Sequence, residues 1–148
     1  MVEFIVRPAT REDARAIRSL ILKVKINPTG LSWRRFLVAV TPQGDLLGCG
    51  QVKQHSDGSQ ELASIAVSVQ VRGQGVARAV IEKLLVYEPI RPLYLMCRAR
   101  LRILYEKFGF HIIGLEEMPP YFLRISRLES IFNSKAQSDS RLLVMRKD

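Results

Sequence analysis

The chain contains few cysteines and few histidines, and it has no long apolar run. Cys49 and Cys97 are its two cysteines among 148 residues, and each lies in an apolar, strand-like stretch. Such cysteines are typical of small core side chains in a reducing compartment rather than of a disulfide framework. No apolar run reaches the ~18 residues that a membrane-spanning helix needs, and no signal-peptide pattern precedes the first strand. We therefore expect a cytoplasmic protein with no membrane partner and with a core that needs no bound metal.

Acidic residues are scarce relative to basic ones, with 14 Asp and Glu against 23 Lys and Arg and a formal net charge of +9. The basic excess is spread along the chain, including a pair at Arg34 and Arg35 and a series at Arg98, Arg100 and Arg102. Proteins that follow a nucleic-acid backbone instead concentrate their charge in tails or dense blocks. The distribution therefore argues against a nucleic-acid partner and favours general surface basicity, with an acidic or nucleic-acid-associated acceptor as the alternative.

The length and the hydrophobic periodicity predict a single domain over residues 1–148. Thr10 and Asp13 form a near capping box, after which apolar residues recur every three to four positions, so a helix is predicted from there to residue 24. Turn residues separate the remaining segments into the order β-α-β-β-β-α-β-α-β, which is typical of a mixed sheet covered by helices. The strands in this order are residues 3–8, 33–40, 46–54, 61–67, 93–97 and 112–115, and residues 142–145 are predicted as a seventh strand that closes the sheet.

The loop QVRGQG, residues 70–75, lies between a predicted strand and the helix that starts at Val76. Gly73 and Gly75 allow a tight turn with exposed N–H groups, and the positive end of the following helix faces the loop, an arrangement that binds phosphate. A P-loop would continue with Lys and Ser or Thr, but Val76 and Ala77 follow Gly75. A dinucleotide fingerprint would need a third glycine where this chain has Arg78.

The remaining pattern, with Gln70, Gly73 and Gly75 between a β-branched strand and an amphipathic helix, resembles the coenzyme A pyrophosphate loop of the GNAT superfamily of acyl-CoA-dependent N-acetyltransferases. A second motif, LYEKFGF at residues 104–110, is similar to the short helix and turn of the same superfamily. The resemblance covers roughly residues 3–116 and resumes at 142–145. It implies an α/β (α+β) GNAT fold, in which helices flank a mixed, mostly antiparallel central sheet of about six to seven strands.

The resemblance also implies acetyl-CoA as the acetyl donor and assigns residues to it. The backbone of the strand before the loop would pair with the pantetheine amides, and the loop and helix N–H groups would bind the pyrophosphate. The implied cofactor-binding residues are Ile65, Ala66, Val67, Gln70, Val71, Arg72, Gly73, Gln74, Gly75, Val76, Ala77 and Arg78. Arg72 and Arg78 are the expected side-chain partners of the phosphates.

Tyr105 matches the tyrosine that lies beside the coenzyme A sulfur in the family, and its expected role is to stabilise the leaving thiolate. Full proton transfer from a phenol of pKa ~10 to a thiolate of pKa ~8.5 is uphill by about 2 kcal/mol, so a hydrogen bond to the developing charge is the more plausible action. For the base that deprotonates the amine, Glu61 is the first candidate because it opens the central strand. His55, Glu116 and His111 are weaker candidates, and deprotonation by solvent would need none of them.

Two features depart from the family pattern. Many members have an Asn seven residues before the tyrosine, whereas this chain has Arg98. Arg98 and Arg100 could contact an acidic acceptor or the phosphates of the coenzyme, although solvated basic side chains are the simpler interpretation. The second departure is a helical insertion at residues 119–133, which is a candidate lid, dimer face or plain packing element.

The sequence therefore predicts an N-acetyltransferase that uses acetyl-CoA and acetylates a primary amine by direct attack on the thioester. The acceptor is a small amine, an aminoglycoside-like polyamine or a protein amino group, with its pocket expected near residues 27–33 and 119–128. The sequence is also compatible with a homodimer. Two alternatives belong to other classes: a non-catalytic acyl-CoA-binding module of the same fold, and a basic nucleic-acid binder whose affinity would depend steeply on salt.

Overall fold

The computed structural model describes residues 1–133 and 138–148 and divides the chain into two compact units. Unit 1 comprises Met1–Lys53 and Leu62–Pro89, and unit 2 comprises Gln54–Glu61 and Ile90–Asp148. Seven strands and four helices form a mixed α/β fold in which most strand pairs are antiparallel. This confirms the predicted fold class. Within the described ranges, no helix has the length and apolar character to cross a membrane.

Unit 1 contains the first strands and the first two helices. The elements are β1 (Ile5–Pro8), α1 (Ala14–Lys23), β2 (Phe36–Val40), β3 (Leu46–Gln54), β4 (Gln60–Val67) and α2 (Val76–Tyr87), although the last residue of β3 and the first two of β4 belong to unit 2. β1 and β2 are antiparallel, as are β2 and β3, and β4 lies next to β3. All five residues of β2 are buried, because helices cover both faces of a central strand.

The predicted capping box of Thr10 and Asp13 is observed, but it starts a 3-10 turn at residues 11–13, and α1 follows from Ala14. Oδ2 of Asp13 accepts the backbone N–H of Thr10 at 2.7 Å and also receives the Arg7 guanidinium at 2.7 Å. The buried side chains of α1 pack on the sheet with residues of β2, in a cluster that includes Ile17, Leu20, Ile21, Phe36, Val38 and Cys49. Both cysteines are buried and unbridged, as predicted.

Glycines in β3 let α2 approach the sheet closely. A Cβ atom on Gly48 would lie 2.6 Å from Cγ1 of Val76, and one on Gly50 would lie 2.5 Å from Cδ1 of Ile65 and 3.0 Å from Val80. Contacts this short are not tolerated in a packed core. The two glycines therefore allow β3 to lie close to α2, Gly48 at the first turn of the helix and Gly50 further along it.

Unit 2 contains β5 (Leu93–Arg98), α3 (Arg102–Glu106), β6 (His111–Ile112), α4 (Pro120–Phe132) and β7 (Leu142–Lys147). β7 lies between β5 and β6 and is antiparallel to both. The start of β4 is parallel to β5, with Glu61 opposite Tyr94. The unit has its own apolar cluster of Tyr94, Ile113, Phe122 and Val144.

β1 begins two residues later than predicted, at Ile5, and two further strand predictions were too long. Residues 33–35 form a short 3-10 turn instead of strand, and the Arg34 guanidinium lies 4.7 Å from the centre of the Trp33 ring. The second is the strand predicted at residues 112–115, where β6 ends at Ile112. Residues 115–117 form another 3-10 turn, in which the Glu117 carboxylate accepts the N–H of Gly114 at 3.2 Å. In both segments local contacts to the backbone replace strand pairing.

Candidate functional site

The predicted phosphate-binding loop lies in unit 1 and has the expected backbone. Gly73 has φ +79° and Gly75 has φ +82°, a left-handed conformation that other residues rarely adopt. A Cβ atom at either position would meet no protein atom within 4 Å, so the backbone is open to close approach by a ligand. α2 begins directly after Gly75, and in the described part of the chain no side chain caps this end.

Side-chain hydrogen bonds are formed by residues at the two ends of the loop, Gln70 and Gln74. The Gln74 side-chain carbonyl accepts the N–H of Val2 at 2.7 Å, and the Ser68 hydroxyl donates to the side chain of Gln70 at 2.5 Å. Val71 is buried, whereas Arg72 is exposed. Arg78 is exposed and forms an ion pair with Glu82 one turn along α2. Any affinity of the loop for an anion would therefore come mainly from the helix dipole and the loop N–H groups.

The strand that precedes this loop contains an irregularity that the sequence did not predict. Ser64 has φ +59° in the middle of β4, a conformation that is uncommon for a residue with a side chain. Its carbonyl accepts the Cys49 thiol at 3.6 Å, and its hydroxyl accepts the Gln51 amide at 2.8 Å. Such a residue changes the direction of the backbone N–H and C=O groups that follow it, which here belong to Ile65, Ala66 and Val67.

The loop at residues 27–33, which we expected near the acceptor, is tied to β3 by polar side chains. The carbonyl of Gly30 accepts N–H groups from Gln51 at 3.0 Å and Arg35 at 2.9 Å, and the carbonyl of Thr29 accepts the Lys53 ammonium at 3.1 Å. Gln51 is fully buried. A buried amide is retained where its hydrogen bonds are satisfied, so this loop has a defined conformation.

Tyr105 is buried on α3 of unit 2, with 8% of its surface exposed. Its ring contacts Phe110 edge-on at 6.3 Å, and its carbonyl accepts the N–H of Phe108 at 3.0 Å, so the helix closes in the turn at Gly109, where φ is +91°. Burial raises the pKa of the phenol above its usual value of 10, and Cys97 adds a smaller contribution. The phenol is therefore neutral, and it can donate a hydrogen bond.

Glu61 is buried in unit 2 and contacts another of the predicted base candidates. Nε2 of His55 lies 2.8 Å from Oε1 of Glu61, and the two side chains are 12% and 7% exposed. The His55 ring stacks on Tyr121 at a centroid distance of 3.5 Å. Of the four candidates named from the sequence, the structure thus brings two together.

The other two base candidates lie on exposed positions. Glu116 is exposed in the 3-10 turn after β6. His111 is exposed on β6, and its nearest acidic partner is Asp148 at 3.9 Å. Neither side chain lies in a setting that would hold it near a reacting amine.

Arg98 does not point to a ligand. Its guanidinium forms an ion pair with Glu129 of α4 and donates to the carbonyl of Ser140 at 3.1 Å. Arg102 pairs with Glu106 on α3 at 3.1 Å, and Arg100 lies in the turn between β5 and α3. Arg98 is thus neither a solvated side chain nor placed at a ligand in this structure, because its guanidinium is paired within unit 2.

Two residues near Glu61 were missed by the sequence analysis. Tyr121 stacks on His55, and Asp57 accepts the backbone N–H of Tyr121 at 3.0 Å. The prolines before Tyr121 indicate a helix start, but they do not show what that start contacts. Asp57 and Tyr121 are 64 positions apart, so no local pattern connects them.

The chain matches known proteins at the level of family and fold. The model of the acetyltransferase (GNAT) domain matches residues 32–112, a range that includes the loop at 70–75 and Tyr105. No curated protein matches the chain.

Solved structures with 17–19% sequence identity share its fold. N-acetylglutamate synthase from Neisseria gonorrhoeae, solved with coenzyme A and N-acetyl-glutamate, has a TM-score of 0.74 and 19% identity, and the match covers 100% of this chain but 36% of that one. Rv2747 from Mycobacterium tuberculosis, solved with CoA, has a TM-score of 0.73 and 18% identity over 97% of this chain and 98% of its own. ElaA from Escherichia coli has a TM-score of 0.67 and 17% identity over 100% of both chains.

The chain thus spans about a third of the Neisseria enzyme and nearly all of the other two proteins. The family model spans more than half of the 148 residues. The loop, the tyrosine and the seven-stranded fold agree with that match, and the chain belongs to the GNAT acetyltransferase family.

Proposed function

We propose that this chain is an N-acetyltransferase that transfers the acetyl group of acetyl-CoA to a primary amine. The observation that carries the proposal is the loop at Gly73 and Gly75, which combines left-handed glycines with an uncapped end of a long helix. The coenzyme A bound by the Neisseria and Mycobacterium proteins supports the same donor here.

The loop and β4 would bind the donor in complementary ways. N–H groups from residues 71–76 would contact the pyrophosphate, and the β4 backbone after Ser64 would pair with the pantetheine as an added strand. The left-handed conformation of Ser64 supports this role because it turns the following peptide groups out of the regular strand pattern. A backbone donor directed at the thioester oxygen contributes about 3 kcal/mol to transition-state stabilisation in comparable sites.

The reaction needs no covalent intermediate on the protein. The amine nitrogen forms a bond to the thioester carbonyl carbon, the C–S bond breaks, and the products are an amide and coenzyme A thiol. The protein must orient the two substrates, accept one proton from the amine and stabilise the sulfur as charge develops on it.

We assign the sulfur to Tyr105 and the proton to Glu61. The phenol of Tyr105 is buried and its pKa is raised, which favours a hydrogen bond to the thiolate over full proton transfer. Glu61 is a buried carboxylate with a histidine in hydrogen-bond contact, a setting suited to accepting a proton directly or through water.

A non-catalytic acyl-CoA-binding module is the second candidate. It is supported by the match to the Neisseria enzyme, in which this whole chain corresponds to 36% of a longer chain. Release of coenzyme A thiol distinguishes the two candidate functions. Only an enzyme releases this thiol in proportion to an added acceptor amine. The acceptor classes remain small amines, polyamines and protein amino groups.

The first experiment is a thermal shift with acetyl-CoA and with coenzyme A, with ATP as the control. A ligand at 100 times its Kd stabilises the native state by ~2.7 kcal/mol, which raises the melting temperature of a domain of this size by roughly 5–10 °C. Thiol release is then measured over a panel of amino acids, polyamines and peptides with free amino groups. Binding without release from any amine would favour the module, and absence of binding would refute both candidates.

A further inference from the structure

The side-chain amide of Gln51, on β3 of unit 1, is fully buried and has one defined orientation. Its Oε1 accepts the Nε–H of Arg35 at 3.1 Å, and its Nε2 donates to the carbonyl of Gly30 at 3.0 Å. A guanidinium can only donate and a carbonyl can only accept, so the oxygen and the nitrogen of the amide cannot be exchanged. The second N–H of Nε2 therefore donates to the hydroxyl of Ser64, at 2.8 Å.

Ser64 needs such a contact because its backbone is strained. Its φ of +59° lies in the left-handed region, which residues with a side chain disfavour by a factor of roughly 5–30 relative to the common regions. Strained conformations persist only where the surrounding structure fixes them. Two residues of β3 contact Ser64: the Gln51 amide bonds its hydroxyl, and the Cys49 thiol donates to its carbonyl at 3.6 Å. A thiol is a weak donor, so the amide is the stronger restraint.

The other N–H of the same amide holds the loop at residues 27–33. The carbonyl of Gly30 in this loop accepts both this N–H and the Nη2–H of Arg35, which lies 2.9 Å away. The two N–H groups of Gln51 belong to one planar group, so a rotation that loses one bond also disturbs the other. Gln51 thus connects the loop to the irregular position in β4, and all of these residues lie in unit 1.

We propose that Gln51 is a positioning residue for both substrates. One N–H holds Ser64 in the left-handed conformation that directs the backbone groups of residues 65–67 to acetyl-CoA. The other N–H holds the loop at residues 27–33 in the conformation that receives the acceptor amine. This inference rests on the proposed function, in which β4 binds the donor and the loop lies near the acceptor.

Ser64→Ala tests the contact to β4 alone. The variant keeps Cβ, and with it the strain, but loses the hydroxyl that Gln51 bonds. The Kd of coenzyme A should rise about tenfold, and kcat/KM for acetyl-CoA should fall by a similar factor, because the strained conformation is no longer held. The KM for the most active amine of the panel should stay within about twofold, because the bond from Gln51 to Gly30 is kept.

Gln51→Met tests both contacts, because Met is similar in length but cannot donate. Donor affinity should fall about tenfold as in Ser64→Ala, and the KM for the amine should also rise. The same substitution is then made in the Ser64→Gly background. Glycine adopts positive φ about as readily as negative φ, so the loss of donor affinity there should be at most about threefold. The rise in the KM for the amine should remain, a split that general destabilisation would not produce.

A matched control and a structural readout accompany the kinetics. Lys25 has φ +60° at an exposed position after α1, so Lys25→Gly relieves the same kind of strain elsewhere and should leave both KM values unchanged. In NMR spectra, a left-handed residue has a short distance between its own HN and Hα atoms. The corresponding cross-peak of Ser64 should be strong in the wild type and weaker in Gln51→Met.

The possible results separate this inference from the proposed function. If the wild type binds no coenzyme A, the proposed function and the inference both fail. If it binds coenzyme A but Ser64→Ala has the wild-type Kd, the inference alone is overturned. Equal losses of donor affinity for Gln51→Met in the wild-type and Ser64→Gly backgrounds would also overturn it. If Gln51→Met does not fold, Ser64→Ala decides the contact to β4.

Discussion

The guanidinium of Arg98 on β5 pairs with the carboxylate of Glu129 on α4, 31 positions further along the chain. The same guanidinium donates to the carbonyl of Ser140, just before β7. From the sequence, Arg98 was a candidate contact for an acidic acceptor or for phosphate. Its charge is instead matched inside unit 2.

Arg98→Met should destabilise the protein modestly and in a pH-dependent way. The side chains are 39% and 22% exposed, so the loss should be about 0.5–1 kcal/mol in the free energy of unfolding. The hydrogen bond from Arg98 lowers the pKa of Glu129 below 4.5, so the stabilisation is present above that pH and disappears as the pH falls through the lower folded value. Urea unfolding at pH 7 and pH 3.5 tests this. An equal loss at both pH values would contradict it.

Tyr105→Phe should lower kcat by roughly 10- to 150-fold, because a hydrogen bond to a charged group contributes about 1.5–3 kcal/mol. Binding of coenzyme A should be unchanged, as the ring remains. Since burial raises the phenol pKa above 10, the rate of the wild type should show no loss from deprotonation of this group below pH 10. Tyr87→Phe, at an exposed position on α2, is the control. An unchanged kcat in Tyr105→Phe would show that the thiolate needs no phenol.

Gly75→Ala should weaken coenzyme A binding at least tenfold. At φ +82° a side chain costs about 1–2 kcal/mol, and the loop can relieve that strain only by turning its N–H groups. Gly44→Ala is a matched control, because Gly44 has φ +91° and equally open surroundings in the turn between β2 and β3. Both variants should lose similar stability, but calorimetric titration should show weaker binding for Gly75→Ala alone. Equal affinities would mean that the loop does not hold the pyrophosphate.

Gly48→Ala should cost about 1–3 kcal/mol of stability, as other overpacked cores do. The added methyl group would lie 2.6 Å from Cγ1 of Val76 and 3.1 Å from the carbonyl of Ala66. The double variant with Val76→Ala removes the first clash, so it should be less destabilised than the sum of the two single variants. A double-mutant cycle measured by urea unfolding gives that difference, and strict additivity would contradict the proposed contact.

The two thiols should be nearly inert in the native protein. Burial raises the pKa of Cys49 to about 12 and that of Cys97 to about 11, and only the thiolate reacts with disulfide reagents. A chromogenic disulfide should therefore label neither cysteine in buffer and both in urea. The same reagent can then follow coenzyme A release without a background from the enzyme. Labelling of the native protein within seconds would contradict the burial of these residues.

Much of the fold was predictable because its signals are local. The periodicity of α1, the capping contact of Asp13 and the glycine turn before α2 depend on residues within four positions of one another. The strand at residues 33–40 was overextended because the 3-10 turn at Trp33 arises from local backbone contacts within an apolar, strand-like pattern. Pairing of the short β6 with the distant β7 could not be read from either segment.

The site was predictable only in part. The loop glycines and Tyr105 are visible as motifs, and their roles remain predictions. Tyr121 and Asp57 were not visible, because their contact joins a turn after β3 to a helix 64 positions later. The left-handed Ser64 was missed for a related reason: Gln51, which bonds its hydroxyl, lies on the neighbouring strand.

The position of β7 between β5 and β6 determines the order in which unit 2 can be completed. Within the described part of the chain, β6 has two residues and pairs with β7 alone, while β5 meets β7 along six register positions. During synthesis, residues 142–147 leave the ribosome after β1–β6, so until then the edge of β5 lacks its neighbour β7 and β6 has no partner strand. Unit 2 should therefore reach its native sheet only after translation has passed these residues, and exposed strand edges make the shorter nascent chains prone to aggregation.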